Sequence, residues 1–115
     1  MKLPREASIA PEKLKNYLLT PRLINDKGRF LSLAGYDRDN WRNLEQDLRT
    51  HILTQEARLQ ETTLYGEVYE IRGTLVGPNG TALLVVTIWM EERATGQTKF
   101  ITLFPGRGSG EKEES

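Results

Sequence analysis

Cysteine is absent from this 115-residue chain, so it has neither a disulfide scaffold nor a thiolate metal site. Histidine occurs once, as His51, and carboxylates are not clustered at ligand spacing, so no metal and no cofactor is expected. No apolar run approaches the ~20 residues of a membrane span. Met1-Lys-Leu-Pro-Arg-Glu6 lacks the apolar stretch of a signal peptide. With the missing cysteines, this points to a cytoplasmic protein with no membrane partner. Excess charge of either sign is also lacking, since 16 basic residues balance 16 acidic ones. That argues against strong general binding of nucleic acid by phosphate neutralisation, while leaving room for a local basic patch. Internal repeats are absent, and the length suits one domain with a modest core.

The strongest pattern lies between Tyr65 and Pro105. Gly77-Pro78-Asn79-Gly80 is a turn tetrad, because proline presets φ at its second position and Asn and Gly tolerate the left-handed region. Thr95-Gly96 supplies a second tight connection. Between them, residues 81–90 are rich in β-branched and aromatic side chains and read as a central strand buried on both faces. Residues 65–76 and 98–104 form the strands on either side. Pairing Gly77 with Gly80 and Ala94 with Gln97 puts Tyr69, Ile71, Leu75, Leu84, Val86, Ile88, Met90, Ile101 and Leu103 on a core face. Val68, Glu70, Arg72, Thr74, Leu83, Val85, Thr87, Trp89, Phe100, Thr102 and Phe104 then share the opposite face. A type I turn with a G1 bulge shifts the first pairing by one residue. The unshifted register is preferred because it keeps Glu70 and Arg72 out of the core.

Helices precede the strands. An extended lead-in, from which Leu3 and Ile9 can pack on the domain, runs to residue 9. Pro11 opens a helix that reaches Leu19 and ends at Thr20-Pro21. After a polar loop over 22–28, Arg29 to Ala34 forms a short helix stopped by Gly35. Asp37 or Asp39 caps a longer helix to about Gln55, with Trp41, Leu44, Leu48 and Ile52 on one stripe. Residues 56–63 connect it to the strands. The whole is an α+β domain over 1–105, N-terminal helices packed on a three- to four-stranded antiparallel meander. Residues 106–115 contain no apolar side chain and read as a disordered tail.

Few residues carry chemistry. His51 sits on the border of its helix's apolar stripe, as an edge-of-core residue or as a general acid or base. Glu70 and Arg72 point to one face of their strand, either as an ion pair on a wet sheet or as base and phosphate anchor of a site. Thr87 and Thr102 surround them with polarity, and Trp89, Phe100 and Phe104 supply aromatic surface for stacking or docking. Lys27 belongs to a basic tilt of the N-terminal half, which reads as solvated surface or as a phosphate-contacting rim.

The run from Ile9 through the Tyr17-Leu-Leu19 helix, Lys27 with Phe30, Leu33-Ala-Gly-Tyr36, the Gly73 to Gly80 turn, Thr87-Ile-Trp89 and Thr102-Leu-Phe-Pro105 resembles a family of small bacterial domains of unknown function. Its members occur alone, in toxin–antitoxin-like pairs and as tails of phage or polymorphic-toxin-like proteins. Helices followed by an antiparallel sheet are also similar to the barnase, colicin and RelE-like ribonucleases. The resemblance implies a ribonuclease-like toxin domain held by a small antitoxin-like partner, with RNA as substrate. Glu70, Arg72, Thr87 and Thr102 would lie on its sheet face. The other reading is a non-catalytic module that binds a partner protein or a second copy of itself through that face.

Overall fold

The computed structural model describes residues 1–19 and 27–106. The fold is α+β with an open sheet of four antiparallel strands in the order β1-β2-β3-β4. These are β1 (Arg58–Thr62), β2 (Gly66–Val76), β3 (Ala82–Glu92) and β4 (Thr98–Pro105). The helical layer comprises a widely wound segment Lys13–Leu18, the short helix α1 (Lys27–Ser32), and α2 (Trp41–Asp47), which continues as a second wide segment, Leu48–Ile52. Wide winding shows in i→i+5 bonds from Leu19 N to Leu14 O and from Leu53 N to Leu48 O, each 2.9 Å. Asn40 caps α2, although its side chain does not bond into the helix. Instead Asp37 and Asn40 exchange reciprocal side-chain-to-backbone bonds of 2.7 and 3.0 Å. The expected ends at Thr20-Pro21, most of the expected loop over 22–28, and all of the expected tail but Gly106 lie outside the described residues.

Residues 58–62, expected to be a connector, form edge strand β1. All five are exposed, so no apolar alternation marks them in the sequence. The lead-in behaves as a strap. Ser8 N donates to Thr98 O and Phe100 N to Ser8 O, both at 2.8 Å, while Leu3 and Ile9 are buried. This strap covers part of the outer edge of β4.

The register corrects the expected face assignment. Gly80 N donates to Gly77 O at 2.9 Å and Gly77 N to Thr81 O at 3.0 Å, with Gly80 at φ +86°. That is the type I turn with a G1 bulge. Tyr69 consequently faces Trp89, Ile71 faces Thr87, and Leu75 faces Leu83. The assignment of β2 holds and that of β3 is reversed. Leu83, Val85, Thr87 and Trp89 join the core, whereas Leu84, Val86 and Ile88 turn to the other face. Thr95-Gly96 is not a two-residue turn, because Glu92 N bonds Gln97 O across a four-residue loop. In β4 the register slips between Trp89↔Phe100 and Ile88↔Thr102, leaving Ile101 as the extra residue. This bulge sends Phe100 inward while Thr102 and Phe104 point outward.

The core lies between the helices and the Ile71–Trp89 face. Leu44, Leu48 and Ile52 are fully buried, as their stripe requires. Gly73 permits the approach, since a Cβ built there would lie 2.9 Å from Ile52 Cδ1. Burying each such aliphatic side chain contributes about 1.5–3 kcal/mol. Trp89 and Phe100 meet edge to face at 5.1 Å between centroids.

Candidate functional site

Among the described residues, one face of the sheet carries no part of the main core cluster, although Val86 on it is buried. Its rows run across the strands. Arg58, Glu70, Ile88 and Thr102 are successive cross-strand partners, and beside them run Arg72, Val86 and Phe104. Alternation along β2 places Glu70 and Arg72 on this face together. Glu70 Oε2 lies 2.6 Å from Arg72 Nε, and Glu70 Oε1 accepts from Gln60 Nε2 at 2.6 Å. The Glu70 side chain is only 10% exposed, and that of Arg72 is 59% exposed. The carboxylate is therefore fixed by two donors, and the guanidinium reaches into solvent.

At the β4 side of the same face, Lys27 from the start of α1 donates to Thr102 Oγ1 at 2.9 Å and to Tyr17 OH at 3.4 Å. Lys13 Nζ donates to Ile101 O at 3.0 Å, using the carbonyl of the bulged residue. Glu70 and Thr102 are two strand spacings apart, roughly 10 Å between backbones. The face thus offers a held carboxylate with a guanidinium at one side and an ammonium–hydroxyl pair at the other. Leu84 and Phe104 add exposed apolar surface at 47% and 39%. This is a chemistry for grasping an anion that also carries apolar or aromatic groups.

The structure divides the candidates read from the sequence. Glu70, Arg72, Thr102, Phe104 and Lys27 come together on or beside the open face. Thr87, Trp89 and Phe100 do not, because the shifted register and the bulge turn them inward, where they are 0%, 0% and 1% exposed. Thr87 Oγ1 donates to Ile71 O at 3.0 Å and accepts from Trp89 Nε1 at 2.7 Å, so all their polar atoms serve the core. His51 lies in the helical layer, with its carbonyl oxygen 3.8 Å from the Cβ position of Gly73 on the covered face. The sheet separates it from Glu70 and Arg72. Its Nδ1 is buried without a hydrogen-bond partner among the described residues. Sequence reasoning missed Gln60, Tyr17 and Arg58. Gln60 was hidden by the unrecognised edge strand. No group of three or more His, Cys, Asp or Glu residues able to hold a metal occurs among the described residues. No described helix is long and apolar enough to cross a membrane.

No curated protein matches the chain. Its fold is similar to a chain of a contact-dependent growth inhibition toxin–immunity protein complex from Klebsiella pneumoniae 342, with a TM-score of 0.63 and 19% identity. The match covers 90% of this chain and 96% of that one. At this identity the likeness is one of fold. Residues 2–107 match the family described as Domain of unknown function (DUF6883), and the chain belongs to that family.

Proposed function

We propose that the chain is a ribonuclease-like toxin domain whose working surface is the open sheet face, and that a small partner protein covers this face until release. The observation that carries the reading is the Glu70–Arg72 pair on a sheet face that, among the described residues, lies outside the core cluster, with Lys27 and Thr102 across the strands from it. The toxin–immunity context of the similar fold supports the partner. RNA cleavage by its own 2′-hydroxyl needs a base, a cation for the phosphate and an acid for the leaving oxygen. In this reading Arg72 turns from Glu70 to the phosphate, and Glu70, still held by Gln60, accepts the 2′-hydroxyl proton. The O2′–P bond forms and the P–O5′ bond breaks. Lys27, seated on Thr102, delivers a proton to the departing 5′-oxygen. The products are a 2′,3′-cyclic phosphate and a free 5′-hydroxyl.

A second reading, a non-catalytic docking module, draws on the exposed Leu84 and Phe104. Controlled expression in bacteria separates the two. The nuclease reading expects growth arrest, relief by Arg72→Ala, and relief by co-expression of a small partner protein. The docking reading expects no arrest, together with loss of partner capture in Phe104→Ala.

A further inference from the structure

The bulge at Ile101 decides what β4 shows to the open face. Side chains alternate along a strand, so an unbroken β4 would send Thr102 and Phe104 to the side that Phe100 occupies. The slip between Trp89↔Phe100 and Ile88↔Thr102 reverses the alternation beyond residue 101. Leu103 is consequently buried, and Phe104 stands 39% exposed. A bulge re-aims side chains by interrupting the ladder, and this one is held from outside by Lys13 Nζ on the Ile101 carbonyl at 3.0 Å. One device therefore delivers two groups to the same face. The first, Thr102, seats the Lys27 ammonium at 2.9 Å. The second is the Phe104 ring, two residues further along β4 and so about 7 Å away.

The other aromatic side chains of β3 and β4 are used inside the fold, since Trp89 and Phe100 meet edge to face in the core. Phe104 has no aromatic or cationic partner among the described residues. Its row across the sheet runs Phe104, Val86, Arg72. Val86 is buried and forms an apolar floor between ring and guanidinium, bordered by the half-exposed Leu84 on the same face of β3. Arg72 ends the row as a cation with a 59% exposed side chain. Ring, floor and cation in one line match a nucleotide laid across the strands. The cation suits the phosphate, the floor the ribose, and the π-face the base. With the scissile phosphate at Arg72 and Lys27 beside its departing oxygen, the nucleoside carried by that oxygen lies over Val86 and brings its base to Phe104.

We propose that Phe104 stacks the base of the leaving nucleoside, the one whose 5′-oxygen takes the proton from Lys27, and that it favours a purine there. The proposal rests on the ribonuclease reading and names the substrate preference of that site. The test compares kcat/KM for two esters of uridine 3′-phosphate, using the full-length chain. In one the leaving group is adenosine through its 5′-oxygen, and in the other it is methanol. The wild type should favour the adenosine ester on the order of tenfold, the scale of one base–aromatic stack. A cytidine leaving group, with its smaller π-face, should fall between the two. Phe104→Ala should bring the adenosine-to-methyl ratio close to one. Phe104→Trp should keep it, and Phe104→Leu, which retains apolar bulk without a ring, should lose it. Thermal melting checks each variant, and the Leu and Trp pair carries the comparison should the alanine variant unfold. A folded Phe104→Leu variant that keeps the wild-type ratio, a wild-type ratio near one, or equal losses with both esters would overturn the stacking site and leave the ribonuclease reading standing. A wild-type chain that cleaves neither these esters nor longer RNA would overturn both.

Discussion

Glu70 Oε2 and Arg72 Nε lie 2.6 Å apart on the side of the sheet away from the helices, and Gln60 holds the other carboxylate oxygen. The two supports are partly redundant. Arg72→Ala removes an exposed partner and should cost no more than ~1 kcal/mol. Gln60→Ala should behave similarly. Together they leave a nearly buried carboxylate without a donor, at a penalty of about 1–3 kcal/mol. Urea unfolding of the single and double variants should therefore show a loss in the double that exceeds the sum of the singles. Strict additivity would mean that water satisfies Glu70 as well as these side chains do.

Trp89→Ala should destabilise by about 3–5 kcal/mol, because it empties a fully buried site against Phe100. Phe104→Ala, on the other face of the same sheet, should change stability far less. Equilibrium unfolding compares them directly. Similar losses at both positions would place Phe104 in a core contact at odds with its exposure.

Much of the fold was legible in the sequence because its signals are local. The Trp41–Ile52 stripe, the strand over 81–90 and the Gly77–Gly80 turn each follow from residue type and spacing. What was not legible depends on single-residue offsets. Gly77-Pro78-Asn79-Gly80 fits two turn geometries, and they differ by one position in β3. Two facts then reverse the argument from charge. Val86 and Ile88 go to the open face, and Thr87 enters the core because Ile71 O and the Trp89 indole satisfy its hydroxyl. The bulge at Ile101 has no sequence mark, yet it alone explains why Phe100 and Phe104, both even-numbered, face opposite ways. Edge strand β1 carries no buried side chain and so shows no period. Of the candidate site, Glu70 and Arg72 were visible as charges within a strand. Gln60 required β1 to be recognised, and the approach of Lys27 to Thr102 is a contact across 75 residues.

The turn also docks on the residues that follow α1. Asn79 N and Nδ2 donate to Ala34 O and Leu33 O at 3.2 and 3.1 Å. A Cβ on Gly77 would meet Ala34 O at 2.1 Å, so Gly77→Ala should cost about 1–3 kcal/mol through forced displacement. Gly80→Ala meets nothing within 4 Å, but its φ of +86° imposes a left-handed penalty of about 1–2 kcal/mol. The variants should differ at the site. Only Gly77→Ala loosens α1 and hence Lys27, which a chemical-shift change at Thr102 would report. An equal response in both would show that α1 is held by other contacts.

Tyr36 donates to Asp47 Oδ2 at 2.6 Å. Burial first, then this bond and the charge of Asp47, push the phenol well above its ordinary range. Above pH ~10 the unfolded chain loses the Tyr36 proton while the folded chain keeps it, so the folded state binds more protons. Stability is thus fully present below that pH and falls as pH rises, by up to ~1.4 kcal/mol per unit from this group. Tyr36→Phe should be less stable at neutral pH and should show a shallower alkaline decline. Parallel declines in the two proteins would mean that Tyr36 ionises as readily folded as unfolded.

Cleavage of RNA by the purified chain tests the open-face site most directly. Defined single-stranded RNA is incubated with the wild-type protein and with Glu70→Gln and Arg72→Ala variants whose melting temperatures match it. The ends of the products are then identified. The account predicts 2′,3′-cyclic phosphate and 5′-hydroxyl ends from the wild type, with rates reduced at least ~100-fold in each variant, as for loss of a general base or a charge-stabilising donor. Intact RNA with the wild-type protein, or cleavage by both variants at the wild-type rate, would contradict it.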